Sequence, residues 1–95
     1  MKKTAKKIGT VIARERVLNI YKVSPPVKYK NIDNTFDETP YLLVSTIDES
    51  WIHETMGFAC NPNGRVLDSE YDEVFSVTIL DAEKALISQG YKILK

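Results

Sequence analysis

The sequence predicts an α+β fold: a mostly antiparallel four- to five-stranded sheet with one C-terminal helix packed on one face. Three observations lead to this prediction. β-branched residues are dense across residues 8–23, and a nearly continuous apolar run covers residues 41–47. Helical spacing of apolar residues between capping residues occurs at residues 81–90.

Length and composition predict one folded domain behind a short tail. Ninety-five residues suit a single modest core, and the 43% hydrophobic content is typical of folded rather than disordered chains. The lysine-rich residues 1–7 are expected to form a flexible basic tail, and residues 8–95 a single α+β domain. Because Cys60 is the only cysteine and no apolar run reaches signal-peptide or membrane-span length, we expect a cytoplasmic protein without a membrane partner.

The N-terminal third predicts either a hairpin or one long bent strand. The charged Arg14-Glu15-Arg16 interrupts the β-branched residues, which favours two strands that turn at this point. Pro25 and Pro26 are expected to end the second strand, because proline lacks the N–H group that a strand ladder needs. Residues 27–40, rich in Lys, Asn, Asp and Thr, are expected to form a long surface loop.

The middle of the chain predicts a central strand and a second hairpin. The apolar run at residues 41–47 is typical of a strand covered on both faces. Residues 51–60 alternate, so that Ile52, Met56, Phe58 and Cys60 share one face. Asn63-Gly64 then favours a tight turn before residues 66–67 resume apolar character.

The C-terminal part predicts an acidic connector, a short helix and a last strand. Residues 74–80 fit either a strand or an extended approach to the helix, and the pattern leaves both open. Asp81 is expected to cap a helix that Gly90 ends, before a short strand at residues 91–94. The predicted core comprises Val17, Ile20, Leu43, Val44, Ile52, Met56, Phe58, Ala85 and Leu86.

Charge is sorted along the chain. The first thirty residues hold nine bases against one acid, a net charge of +8, whereas residues 31–83 hold twelve acids against Arg65, a net charge of −11. The overall net charge of zero therefore conceals two opposed regions. Such asymmetry predicts electrostatic association with partners rather than a particular fold.

The reactive side chains do not form a recognisable catalytic or metal-binding set. His53 and Cys60 alone are too few ligands for zinc, and seven residues apart on a strand they project to opposite faces. The cluster Asp68, Glu70, Asp72 and Glu73 alternates like a calcium loop but lacks the glycine and the final glutamate of that loop. With no glycine-rich phosphate loop either, we expect no metal, no cofactor and no enzymatic activity.

Two blocks of the sequence resemble short accessory proteins of tailed bacteriophages. The first block covers residues 53–64 and continues to Val66-Leu67-Asp68, and the second covers residues 80–91. Residues 17–21 with Pro25-Pro26 are compatible with the opening strand of those proteins, whereas Ser69 stands where they often carry tryptophan. The resemblance implies a phage or prophage origin and no assigned active site.

The sequence as a whole predicts a non-enzymatic phage or prophage accessory protein that binds a macromolecule in the host cytoplasm. A host or phage protein is the expected partner, with the acidic surface as its binding region; weak self-association is also expected. The alternatives are a nucleic-acid-binding protein that uses the basic N-terminal segment, and a small enzyme of unknown reaction. The candidate partner-binding residues are Lys2, Lys3, Lys6, Lys7, Arg14, Arg16, Asp68, Glu70, Asp72 and Glu73.

Overall fold

The computed structural model describes residues 2–13 and 16–95, without the side chains of Ala13 and Arg16. The chain is an α+β fold, as predicted, built mostly from strands with one short helix near its C-terminus. Its elements are β1 (Lys3–Ala13), β2 (Arg16–Lys30), β3 (Phe36–Asp48), β4 (His53–Cys60), β5 (Phe75–Val77), α1 (Ala82–Ser88) and β6 (Tyr91–Leu94).

The strands form one sheet in the order β5-β4-β3-β2-β1-β6, which curls into a half-barrel. All neighbours are antiparallel except β6, which runs parallel to β1. The predicted number of four to five strands is therefore wrong, because the sheet has six, and the parallel β1–β6 pair makes it a mixed sheet. A parallel pair needs a crossover connection, and the segment containing α1 provides it by carrying the chain from the β5 edge to the β1 edge.

The predicted N-terminal hairpin is confirmed, but both of its strands are longer than expected. β1 begins at Lys3 rather than near Ile8, since Ala5 is fully buried and β6 pairs with residues 3–6. β2 does not end at Pro25 and Pro26. Its pairing with β3 shifts register between Lys22 and Val27, and such an irregularity accommodates residues that cannot donate to the ladder.

The long loop predicted over residues 27–40 is wrong in extent. β2 continues to Lys30 and β3 begins at Phe36, so the turn occupies residues 31–35. The predicted central strand is confirmed, because β3 has β2 and β4 as neighbours and four consecutive buried residues, 42–45. Polar residues fill much of the predicted loop because they lie in exposed strand ends rather than in a loop.

The turn predicted at Asn63-Gly64 is confirmed, but the returning strand is not. The Gly64 N–H donates to the Asn61 carbonyl at 2.9 Å, and Gly64 has a φ of +85°, where glycine avoids the steric cost of a Cβ. Beyond it only an isolated bridge joins Cys60 and Val66. The strand that pairs with the free edge of β4 is β5 instead.

The predicted helix is confirmed, as are Asp81 as its N-terminal cap and Gly90 as the residue that ends it. The Asp81 side chain accepts a hydrogen bond from the Lys84 N–H at 2.9 Å, which satisfies a free donor of the first turn. Gly90, with a φ of +91°, follows the last turn. Ala85 and Leu86 are fully buried and fix the helix against the sheet.

Apolar side chains form a cluster on each face of the sheet. The larger one contains Tyr21, Leu42 and Val44 with residues of α1, and the smaller one contains Ile20, Leu43 and Cys60. Of the predicted core, Ile20, Leu43, Val44, Ala85 and Leu86 are buried, and Met56 and Phe58 are half-buried.

Two residues of the predicted core are exposed. Val17 is 60% exposed and Ile52 is 43% exposed. Val17 lies beyond Asn19, the last residue of β2 that pairs with β3 at this end, and Ile52 lies in the turn before β4. Both residues are apolar, but no described element of the fold packs over Val17 or Ile52.

Candidate functional site

A cleft of about 590 Å³ lies at one end of the sheet, between the β2–β3 turn and the connector that precedes β5. We refer to it as the turn-end cleft. The turn contributes Ile32 and Asp33, and the connector contributes Arg65, Asp68 and Tyr71. It thus combines segments that are more than thirty residues apart in the sequence.

Polar side chains fix the turn on one side of the cleft. The Asp33 carboxylate accepts hydrogen bonds from the hydroxyl and the N–H of Thr35, and Asn31 donates to Asp37 at 2.9 Å. The Thr35 hydroxyl lowers the pKa of Asp33, so this carboxylate is charged at neutral pH. Held by these contacts, the turn presents Ile32 to solvent, where the residue is 93% exposed.

Asp68 fixes the connector on the other side. Its carboxylate accepts hydrogen bonds from the backbone N–H groups of Lys30, Glu70 and Asp72, at 3.1, 2.9 and 3.3 Å. The bond from Lys30 is the largest cause of the lowered pKa of Asp68, followed among the lowering causes by the bonds from Glu70 and Asp72. The Ser69 N–H donates to the Lys30 carbonyl at 2.8 Å, which completes the attachment of the connector to β2.

Tyr71 follows directly from the turn that Asp68 organises. Its N–H donates to the Asp68 carbonyl at 3.1 Å, and its φ of +56° is a left-handed conformation that is uncommon outside glycine. The side chain is 70% exposed. Phe36 begins β3 opposite Lys30 and is 65% exposed, so three large apolar side chains are solvated at this end of the sheet.

Some charged side chains at the cleft are paired and others are not. Glu70 forms an ion pair with Lys30 at 3.2 Å. The guanidinium of Arg65 has no hydrogen bond or ion pair within residues 2–13 and 16–95, and it lines the cleft. Asp72 and Glu73 are exposed on the same connector. The cleft therefore has apolar projections, one free cation and an acidic margin.

The structure separates the four predicted acidic residues by role. Asp68 is buried and occupied by backbone donors, and Glu70 is paired, whereas Asp72 and Glu73 face solvent. Sequence reasoning missed Ile32, Arg65 and Tyr71. Two of them differ in type from their sequence neighbours, and this was the available signal. Ile32 is an apolar residue in a polar turn, and Arg65 is the only base between residues 31 and 83.

The predicted basic residues are also divided. Lys2, Lys6 and Lys7 are exposed, and the latter two belong to β1. The Lys3 ammonium donates to the Gln89 carbonyl at the end of α1 at 2.6 Å and lies 4.2 Å from the centre of the Tyr91 ring. Lys3 therefore contributes to the contact between β1, α1 and β6. Arg14 and the side chain of Arg16 lie outside the described residues.

His53 and Cys60 occupy opposite ends of β4. The Nδ1 atom of His53 lies 2.6 Å from Oδ1 of Asp48, and both side chains are largely exposed. Cys60 is fully buried in the smaller cluster, and burial raises the pKa of its thiol to about 11. In the described part of the chain, no three His, Cys, Asp or Glu side chains are grouped to hold a metal ion.

No helix in the described ranges is both long enough and apolar enough to cross a membrane. Comparisons of the chain with protein-family models, with curated proteins and with solved structures found no match.

Proposed function

We propose that this chain is a non-catalytic accessory protein of phage or prophage origin, and that it binds a protein partner through the turn-end cleft. The observation that carries the proposal is the exposure of Ile32 and Tyr71 on the two sides of a cleft that also holds the unpaired Arg65. The resemblance of residues 53–68 and 80–91 to phage accessory proteins supports the origin.

The side-chain types at the cleft match those that dominate protein interfaces. Tyr and Arg are enriched among the residues whose truncation costs the most binding free energy, because they combine large contact area with directed hydrogen bonds. An isoleucine that is 93% exposed contributes little to folding, whereas its burial by a partner removes apolar surface from water. The polar turn and Asp68 hold both projections in place before binding, which lowers the entropic cost of association.

Charge specifies the chemistry of the partner. Asp33 lines the cleft, and the exposed Asp72 and Glu73 follow Tyr71 on the connector, whereas Glu70 is paired with Lys30. The complementary surface is a protein segment with apolar side chains at its centre and Lys or Arg at its margin. This agrees with the sequence-based expectation of a protein partner for the acidic region.

The positions of the reactive side chains support a non-catalytic role. Cys60 is buried with a raised pKa, and His53 is paired with Asp48 at the far end of the same strand. Neither lines the cleft. Binding needs only the exposed groups described above, whereas nucleophilic catalysis requires a base within hydrogen-bond reach of its nucleophile.

The proposal is tested by affinity capture from infected or expressing bacterial cells, followed by titration of the purified partner. The double variant Ile32→Ser/Tyr71→Ser should weaken binding by roughly 30-fold or more, the loss expected for central interface residues. Trp51→Ser is the matched control, because Trp51 is 91% exposed in the turn at the other end of β3. Equal affinities for the double variant and the wild type would exclude the cleft.

A further inference from the structure

A second surface lies on the strands β6, β1 and β2, away from the turn-end cleft. Within the residues that the structure describes, these three strands contain no Asp or Glu. Lys6 of β1 is in register with Lys22 of β2, and Thr4 is in register with Ser24 on one side and Lys92 on the other. Since residues in register project to the same face, these side chains form one surface, which we call the lysine face.

Among the described residues, the ammonium groups of the lysine face have no partner. Lys6, Lys22 and Lys92 are exposed, and none makes an ion pair or side-chain hydrogen bond among the described residues. Like charges directly opposite each other on neighbouring strands are destabilising. The pair Lys6 and Lys22 therefore opposes folding weakly, and an anion bound between them would relieve that repulsion.

The same surface offers neutral hydrogen-bond donors beside the cations. A shallow depression of about 210 Å³ is lined by Thr4, Lys6, Lys22, Val23, Ser24 and Leu94. Thr4 and Ser24 thus lie beside Lys6 and Lys22, and the described residues of this lining include no Asp or Glu. Phosphate oxygens accept hydrogen bonds from both kinds of donor.

The described acidic residues lie outside these three strands. Asp81 and Glu83 belong to the α1 segment on the opposite face, where their charges contribute to the raised pKa of Tyr21. Glu38 is in register with Lys28, near the turn-end cleft. The net charge of −11 over residues 31–83 therefore repels a polyanion at the lysine face only weakly, because screening at physiological salt acts over about 8 Å.

From this arrangement we propose that the lysine face binds the sugar–phosphate backbone of nucleic acid. Three lysines spread over three strands present an extended row of cations rather than one enclosed pocket, which suits a chain of phosphates better than a single anion. A lipid surface fits less well, because the only large apolar residue in the depression with substantial exposure is Leu94, at 41%. Recognition by phosphate contacts carries no base specificity.

The proposal is tested by fluorescence anisotropy with labelled random single strands of ~20 nucleotides and with the matching duplex. The variant Lys6→Gln/Lys22→Gln/Lys92→Gln should raise the Kd for the single strand at least about tenfold at ~50 mM salt, and make the slope of log K against log salt shallower by about 2. The control Lys7→Gln/Lys84→Gln/Lys95→Gln removes the same net charge from exposed positions off the lysine face, since Lys7 is in register with Tyr21 of the larger cluster, and it should change the Kd by less than about threefold.

Two further measurements make the outcome decisive. The thermal midpoint of the triple variant should be no lower than that of the wild type, because the change removes the repulsion between Lys6 and Lys22. The single variant Lys22→Gln should also weaken the binding of nucleic acid.

The proposal is overturned by absence of binding at ~50 mM salt, by equal losses in the two triple variants, or by tighter binding to phosphatidylcholine–phosphatidylserine vesicles than to nucleic acid. The Ile32→Ser/Tyr71→Ser variant should bind nucleic acid normally, which separates this proposal from the proposed protein partner.

Discussion

At the scale of single residues, Asp68 shows how one carboxylate can organise a segment that lacks regular structure. Three backbone N–H groups converge on it, one from β2 and two from the connector. Buried N–H groups without an acceptor would each cost free energy, so this one side chain replaces the hydrogen bonds that a strand or helix would supply. The position of Tyr71 in the cleft depends on it.

The charge of Asp68 should stabilise the fold in a pH-dependent manner. Its pKa is lower in the folded protein than the unfolded value of about 3.9, so its stabilisation is present above about pH 4 and is lost as pH falls through the folded pKa. Asp68→Asn should lower the free energy of unfolding by roughly 1–2 kcal/mol at pH 7, since hydrogen bonds to a charged acceptor are the stronger ones. Urea denaturation of both proteins between about pH 7 and pH 2 measures the difference.

The gap between the two proteins should shrink as the wild-type carboxylate becomes protonated. Asp72→Asn is the control, because only the backbone N–H of Asp72 takes part in this network. A difference that stays constant down to about pH 2 would show that the asparagine disturbs packing rather than charge.

Cys60 should behave as a small apolar residue rather than as a nucleophile. It has no exposed surface, and burial raises the pKa of its thiol to about 11. The native protein should therefore react with a disulfide reagent at pH 8 at least about tenfold more slowly than the protein unfolded in urea. Rapid stoichiometric labelling without denaturant would contradict this assignment.

At the scale of elements, the three-residue strand β5 is held to the sheet by a close contact with β4. The Phe75 ring covers Gly57, and a Cβ placed on Gly57 would lie 2.3 Å from the Phe75 Cε2 atom. The Val74 N–H also donates to the Gly57 carbonyl at 2.6 Å. Glycine at this position allows the aromatic ring to pack directly on the backbone of the neighbouring strand.

Gly57→Ala should consequently displace the buried Phe75 ring. We expect a loss of roughly 1–3 kcal/mol in the free energy of unfolding, the usual cost of overpacking a core. In a double-mutant cycle with Phe75→Leu, the effect of Gly57→Ala should become smaller, because the shorter side chain leaves room for the methyl group. Additive losses in that cycle would mean that the two residues do not interact as described.

At the scale of the whole molecule, charge is separated across the sheet. The strands β6, β1 and β2 carry seven of the ten lysines, while the described carboxylates belong to β3, β4 and the segments outside the strands. The two regions meet where Lys30 of β2 pairs with Glu70 at 3.2 Å, whereas Lys6, Lys22 and Lys92 form no ion pair among the described residues. Each region can therefore attract its own partner.

This separation should cause weak self-association at low ionic strength, with the lysine-bearing strands of one copy against the acidic connector of another. The screening length falls from about 20 Å at ~20 mM salt to about 4 Å at ~500 mM salt. Sedimentation velocity at the two salt concentrations should give a larger average mass at the lower one. A mass that is independent of salt would exclude an electrostatic contact between copies.

Local signals in the sequence determined the elements whose structure depends on neighbouring residues. Asp81 and Gly90 define the ends of α1 because a cap and a left-handed residue act within one helical turn. Asn61 and Gly64 likewise define their turn through local hydrogen bonds: the Gly64 N–H donates to the Asn61 carbonyl, and the Asn63 and Arg65 N–H groups donate to the Asn61 side chain. The apolar run in β3 predicted a central strand because burial on both faces requires apolar residues at consecutive positions.

Tertiary structure alone decided the sheet order, the parallel pairing of β6 and the composition of both candidate surfaces. Ile32 and Tyr71 meet at one cleft, and Lys6 and Lys22 lie opposite each other, only because distant segments pair. Val17 is apolar yet exposed, since burial depends on whether another element covers a position and not on the residue itself. Local preferences act over a few residues, whereas long-range pairing is the sum of many weak contacts over the whole chain. For that reason the sequence by itself predicted an α+β domain with opposed charges, and the folded chain decided where those charges and the exposed apolar groups lie.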